Sequence, residues 1–307
     1  MNLIVGGTGF VGGHLVEYLF EQGEISKGVF RKGSHLKIMD TNGVQGIEAD
    51  LSDHHSLHEA MEGVDVVYSL ASPMPGQDGE YMSANSEGII NLLEVASESK
   101  AKAFIHLSTL DVYGFGATKV SGSSPIRPST DYQKAKAEAE RLLQEFSKRS
   151  NSPRIVVLRS AKAMGSRDES TVVPMLKMIE SGRVVIPSGG TMSFSHPKDI
   201  AQAMYKAAIG GAKTGSLYLT KSFDCTPEDL AKSLVSALGK EATVKKQGMF
   251  SGSALPKYAA EQLRASLSID DQPDWKELGY SPQFDLKATC EEIAAWYKKE
   301  PWITESA

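Results

Sequence analysis

Short apolar runs alternate with longer amphipathic stretches through the first 160 residues. The runs are Leu3–Val5, Gly28–Phe30, Val44–Ile47, Val64–Leu70, Ala103–Leu107 and Ile155–Leu158. Between them lie Val11–Phe20, Ser83–Ser97 and Tyr132–Phe146; in the last, Ala135, Ala139 and Leu142 recur at helical spacing and mark one packed face. Nearly continuous apolar runs belong to strands buried on both sides, and their alternation with helices predicts βαβ units. The fold class is therefore α/β, a doubly wound parallel sheet.

After Leu158 the pattern loosens. It predicts helices over Val172–Ser181 and Lys198–Ala208, strands over Val184–Ile186 and Ser216–Thr220, and a last helix around Ala288–Lys299. Thr226 before Pro227-Glu228-Asp229 marks another helix start. Residues 1–165 form a nucleotide-binding domain in this reading. Residues 166–307 form a smaller C-terminal substrate-binding domain, partly interleaved with the first.

Charge and cysteine content narrow the partners. The net charge is -5, so no basic field favours nucleic acid or an anionic membrane. Cys225 and Cys290 show no metal-ligand spacing, which fits a reducing cytoplasm. His54, His55 and His58 share a helix face and read as surface residues, not a metal site. The opening apolar run breaks at Gly6, too short for a signal peptide, and no stretch is long enough to span a bilayer. The expectation is a soluble cytoplasmic protein acting on a small molecule, without nucleic-acid or membrane partners.

Chemistry enters with Val5-Gly6-Gly7-Thr8-Gly9-Phe10-Val11-Gly12, directly after the first strand and opening the first helix. A dinucleotide needs glycine there for a tight turn, close backbone approach to the pyrophosphate and close helix–strand packing. This is a Rossmann loop, and Gly6, Gly9, Phe10, Val11 and Gly12 are its candidate cofactor contacts. The second strand closes on Phe30-Arg31-Lys32, with cations where an acid would hold a ribose hydroxyl. Arg31 thus favours the 2′-phosphate of NADP(H), with NAD(H) the alternative. Asp50 and Leu51 end the third strand and Leu70, Ala71 and Ser72 the fourth, at the sheet edge where such ligands bind.

Tyr132 and Lys136 stand four residues apart, one turn apart on a helix face. A phenol titrates near ~10, too high for ready exchange at neutral pH, and a neighbouring cation lowers that value. The pair then suits general acid/base work, with the lysine also within reach of a nicotinamide ribose. The strand Ala103–Thr109 ends in two hydroxyls, 23 residues before Tyr132.

With Gly6–Gly12, Leu70-Ala71, Phe104–Gly114, Pro128, Tyr132, Lys136, Leu158-Arg159, His196, Asp199 and Leu278–Pro282, nearly the whole chain resembles the extended short-chain dehydrogenase/reductase family. That family includes nucleotide-sugar epimerases and dehydratases. The resemblance implies that Thr109 positions the substrate oxygen, with Ser108 the neighbouring alternative, and that Tyr132 and Lys136 are catalytic. It also implies a role for Asn85 near cofactor and substrate, and a homodimer through the helices around Ser83–Ser97 and Asp131–Phe146.

The departures bear on substrate. Family dehydratases follow the Thr with Asp and Glu; here Leu110 and Asp111 follow, and Leu110 donates no proton. Asp111 reads as a loop-capping carboxylate, with a second acid as the alternative. Epimerases carry an Asn where Ala161-Lys162-Ala163 stands and an Arg where Met192 stands. Lys162 is a point donor without the bidentate fork of Arg. His196 and Asp199 read as structural, Asp199 at a helix start; Met175 and Met178 read as core or pocket lining. The leading reading is an NAD(P)-dependent oxidoreductase with direct hydride transfer to or from a carbonyl or secondary alcohol. The alternatives are a nucleotide-sugar epimerase with retained NAD, and a non-catalytic NADP-binding sensor.

Overall fold

A computed structural model of the chain describes residues 1–34, 36–72, 86–247, 254–270 and 274–300. The N-terminal part runs β1 (Asn2–Val5), α1 (Phe10–Glu21), β2 (Ser26–Phe30), α2 (Lys37–Thr41), β3 (Gln45–Glu48), α3 (His54–Met61) and β4 (Val66–Ser69). It continues through α4 (Gly88–Glu98), β5 (Ala103–Thr109), α5 (Asp131–Phe146) and β6 (Arg154–Ser160). There follow β7 (Lys162–Ala163), α6 (Val172–Glu180), β8 (Arg183–Ile186), β9 (Met192–Ser195), α7 (Pro197–Ile209) and β10 (Ser216–Thr220). The tail holds β11 (Phe223–Cys225), α8 (Pro227–Leu238), β12 (Thr243–Lys246), α9 (Lys257–Arg264), α10 (Asp274–Leu278) and α11 (Leu286–Lys299).

Seven strands form one parallel sheet in the order β10-β6-β5-β4-β1-β2-β3. Alternate residues feed opposite cores. Leu3, Val5, Phe104 and Ile155 pack with Leu57, Leu92 and Leu143 on one face. Ile4, Ile105, Val156 and Leu158 pack with Leu15 and Met204 on the other. Covering both faces explains why these strands read as unbroken apolar runs. Strand order reverses between β1 and β4, and the crevice beyond their C-terminal ends is where such sheets bind ligands.

The chain after β6 builds a three-stranded sheet, β11-β9-β7, and a two-stranded one, β12-β8. It also returns β10 to the central sheet and lays α7 against α1. Cys225 and Cys290, 65 positions apart, are free thiols buried in one apolar core of this part. Among the described residues, no helix is long and apolar enough to cross a membrane, and no His, Cys, Asp and Glu group could hold a metal ion.

Candidate active site

The chain leaves β1 and turns through Gly6 into α1. Gly6 has φ +101°, and a Cβ there would lie 2.7 Å from the backbone nitrogen of Ala71. A Cβ on Gly12 would overlap the Gly6 carbonyl oxygen. Backbone conformation and the end of β4 exclude a side chain at the first position; α1 packing on the turn excludes it at the second. Gly9 caps α1 with no side-chain hydrogen bond, and no acid occupies the first turn. The first-turn amides of Phe10, Val11 and Gly12 are thus not taken by a capping side chain, and the helix dipole favours an anion there. These residues fit a dinucleotide pyrophosphate.

The other candidate cofactor residues border the same sheet edge. Leu70, Ala71 and Ser72 follow β4 and are partly buried; the Ser72 hydroxyl has no hydrogen-bond partner among the described residues. Arg31 and Asp50 are exposed beyond β2 and β3. The Ser52 hydroxyl and amide donate to the Asp50 carboxylate at 2.6 and 2.8 Å. With the nearby Arg31 charge, they hold Asp50 below the usual carboxylate range. Leu51 is wedged against α4, where a Cβ on Gly88 would sit 2.9 Å from its own, and its carbonyl accepts from Asn91 at 2.8 Å. Asn85 lies outside the described residues.

A capping box fixes the start of α5. The Thr130 hydroxyl accepts from the Gln133 amide at 3.2 Å, and the Gln133 side-chain oxygen accepts from the Thr130 amide at 3.2 Å. Tyr132 therefore projects from a pinned first turn and stays partly accessible. Lys136, one turn on, is buried at 3% exposure and donates to the Leu107 carbonyl at 3.0 Å. Burial lowers its pKa to about 8, against the opposing pull of Glu140. His106, fully buried on β5, bonds Ser69 at 3.2 Å. Burial first, then the Lys136 charge, holds it well below the usual histidine value, so it is neutral at pH 7.

Ser108 and Thr109 face opposite sides of β5, as the period of a strand requires. Ser108 is buried and donates to Glu140, while Thr109 caps the 3-10 turn Leu110–Tyr113 by accepting from the Asp111 amide at 3.2 Å. Glu140 stands two turns after Tyr132 on the same helix. It receives the Arg159 guanidinium through Nε at 3.0 Å and Nη2 at 2.5 Å. Arg159 also donates to the Tyr113 hydroxyl at 2.6 Å and lies over its ring. This sealed network ties α5 to β5 and β6 behind the Tyr132–Lys136 face.

Asp111 does not cap its own turn; Thr109 does. The Asp111 carboxylate is buried and accepts from the Tyr258 hydroxyl at 2.7 Å and the Gln262 amide at 2.6 Å. Burial pushes its pKa up, opposed by those two bonds and by the Lys162 charge. Lys162 donates to the Gln262 side-chain oxygen at 2.8 Å, and Met192 is buried at 2% exposure. Tyr258 meets the Tyr132 ring edge-on, with centroids 5.5 Å apart. His196 caps α7 by accepting from the Lys198 amide at 3.3 Å and stacks on Phe284. Asp199 accepts from Ser222 at 2.6 Å and from the Gln283 amide at 2.8 Å, joining two loops to α7.

Four of these groups escaped the sequence reading as site residues: Glu140, Arg159, Tyr258 and Gln262. Glu140 continues the four-residue step of Tyr132 and Lys136, and that register was the available signal. Tyr258 and Gln262 share one face of α9, whose Ala259, Ala260 and Leu263 are buried. The helical spacing was present in the tail, but its destination was not.

A family model described as the NAD dependent epimerase/dehydratase family matches residues 2–215. The chain is 24% identical over 309 residues to the 4-hydroxy-2-methyl-3-oxo-4-farnesyl-3,4-dihydroquinoline-1-oxide ketoreductase of Stigmatella aurantiaca, covering 91% of each. It is 30% identical over 146 residues to sterol demethylase protein B of Methylococcus capsulatus, covering 45% of this chain and 44% of that protein. That second match spans under half of either. Among solved structures, a UDP-glucose 4-epimerase superposes with a TM-score of 0.84 at 21% identity, over 98% of both chains, a likeness of fold.

Proposed function

Because the chain belongs to the NAD dependent epimerase/dehydratase family, we propose that it is an NADP(H)-dependent reductase or dehydrogenase of a carbonyl or secondary alcohol. Family members are NAD-dependent enzymes, and NADP(H), when bound, supplies or accepts the hydride. The observation that carries the reading is the buried Lys136, with its pKa lowered to about 8, one helical turn from a partly accessible Tyr132. Perturbed, buried titratable groups of this kind concentrate where proton transfer is needed. Tyr132 gives its proton to the substrate oxygen in reduction and takes it back in oxidation. Lys136 favours the phenolate by its charge. Thr109 donates a hydrogen bond to the same oxygen and orients it. Glu140 occupies Ser108 and so leaves Thr109 as the strand-end hydroxyl for that task.

At the adenosine end, Arg31 holds the 2′-phosphate, and Phe10–Gly12 hold the pyrophosphate. Oxidation of NADPH by a panel of aldehydes and ketones tests the activity. Equilibrium binding tests the cofactor assignment: Arg31→Ala raises Kd for NADPH about tenfold, the worth of one charge-assisted contact, and changes Kd for NADH by less than about threefold. Tighter binding of NADH than NADPH by the unaltered protein rejects the role given to Arg31.

A further inference from the structure

Gln133, Tyr258, Asp111 and Gln262 form a hydrogen-bonded chain that takes no part in the proton transfer. The Tyr258 hydroxyl donates to the Asp111 carboxylate at 2.7 Å, and the Gln262 amide donates to the same carboxylate oxygen at 2.6 Å. The Gln133 side-chain amide bonds the Tyr258 hydroxyl. The Gln133 oxygen accepts from the Ser129 and Thr130 amides at 2.7 and 3.2 Å. Lys162 donates to the Gln262 oxygen at 2.8 Å and closes the far end. Donors meet acceptors along the whole chain, which fixes the way each side chain is turned.

The links stand beside the two groups assigned to the substrate oxygen. Gln133 follows Tyr132 in α5 and holds the turn from which Tyr132 projects. Asp111 is the second residue after Thr109, and its amide donates to the Thr109 hydroxyl at 3.2 Å. Tyr258 joins the two. Its ring meets the Tyr132 ring edge-on at 5.5 Å and the Phe115 ring at 5.8 Å, centroid to centroid. Phe115 lies just beyond the turn Leu110–Tyr113 that Thr109 caps. Tyr258 thus grips that turn at Asp111 and past its end, while its ring edge rests on Tyr132.

Stability alone does not call for this arrangement. Asp111 is 5% exposed and takes its hydrogen bonds from neutral side chains, with Lys162 acting on it as a nearby charge. Burying a carboxylate is costly, and well-packed apolar side chains often replace buried charges with no loss of stability. Polar links supply a single direction, which apolar packing specifies less strictly.

We propose that Tyr258, held by Asp111, is a positioning residue that sets the spacing between the hydroxyls of Tyr132 and Thr109. Its role in turnover rests on the reductase reading; the spacing itself is measured without turnover.

Tyr258→Phe keeps the ring and removes the hydroxyl. Asp111→Asn removes the charge but keeps an oxygen that accepts from both Tyr258 and Gln262. Tyr258→Phe and Asp111→Ala lower kcat for carbonyl reduction by roughly 10- to 100-fold, the effect of a misplacement on the order of 1 Å, and change KM by less than about threefold. Asp111→Asn restores kcat to within about threefold of the unaltered enzyme. The fall of kcat/KM through about pH 8 keeps its place in all three, since Lys136 is untouched. Crystals of the unaltered chain and of Tyr258→Phe, each loaded with NADP+, differ by about 1 Å in the separation of the Tyr132 and Thr109 hydroxyls. A loss with Asp111→Asn as large as with Asp111→Ala assigns Asp111 to proton transfer and overturns the proposal. So does an unchanged kcat or an unchanged separation in Tyr258→Phe. An unaltered, NADP+-loaded chain in which Tyr258 has left Asp111 overturns it even where a variant fails to fold. An unaltered chain that binds NADP+ but reduces no aldehyde or ketone, with the expected change in separation, removes the reductase reading and leaves the positioning standing.

Discussion

Tyr132→Phe lowers kcat/KM for carbonyl reduction by roughly 100- to 10,000-fold, the contribution of a positioned general acid. Cofactor affinity falls by about fivefold at most, since only one ordinary hydrogen bond of about 1 kcal/mol is removed. The phenyl ring keeps the edge contact with Tyr258, so the fold is not disturbed at this point. The pH profile carries the second half of the result. Burial disfavours the ammonium of Lys136, moving its pKa down from an ordinary 10.5 to about 8. Below about pH 8 the lysine is charged and makes Tyr132 a stronger acid; above it the charge is lost and the phenol holds its proton more tightly. In the unaltered enzyme, kcat/KM for reduction therefore falls as pH rises through about 8, because this ratio reports groups of the free enzyme. Stopped-flow oxidation of NADPH across pH 6–10 measures both effects. Wild-type turnover by the Phe variant removes Tyr132 from the chemistry, and a flat profile between pH 7 and 9 removes Lys136.

A lysine in that position is costly. Holding it charged at neutral pH costs the folded state about 3 kcal/mol relative to an exposed ammonium. Linkage gives the sign: the unfolded chain binds this proton more tightly, so the penalty is full below the folded pKa near 8, fades as pH rises from there toward the unfolded 10.5, and is gone above it. The compensating contacts are the Leu107 carbonyl and the Glu140 charge.

Those features were legible in the chain to unequal degrees. The glycine loop reads directly, because Gly6 and Gly12 answer to local geometry: one positive φ and one helix packed on a turn. Strands β1, β4, β5 and β6 read directly because they are buried nearly throughout and present apolar residues on both faces. Ser216–Thr220 shows as a strand, but its partner, β6, lies some 60 residues earlier and is chosen by packing. Glu140 looks like any acid on a helix until β5 and β6 close over it. Tyr258 reaches Asp111 across 147 positions, and no local pattern encodes such a contact. Asp111 looks like a turn cap for the same reason: its amide is capped by Thr109, and its carboxylate turns toward α9. The choice between Ser108 and Thr109 likewise depends on a partner, since the strand period separates the two faces but does not say which one Glu140 occupies.

Glu140→Ala is expected to lower the free energy of unfolding by roughly 3–5 kcal/mol, the cost of leaving one member of a buried ion pair without its partner. Glu140 and Arg159 are each 8% exposed, and the guanidinium is also held by its bond to the Tyr113 hydroxyl. Removal of the carboxylate strands that charge between β6 and α5 and also frees the Ser108 hydroxyl. Arg159→Met alone leaves Glu140 uncompensated and carries a similar cost, whereas Glu140→Ala with Arg159→Met restores part of the loss because no unpaired charge remains. Urea denaturation of the two single variants and the double variant at pH 7 gives the coupling energy directly. A single-variant loss under about 1 kcal/mol, or strictly additive losses, would show that the pair is not isolated from solvent. Glu140 would then be open to water, and its hold on Ser108 would no longer single out Thr109 as the strand-end hydroxyl for the substrate.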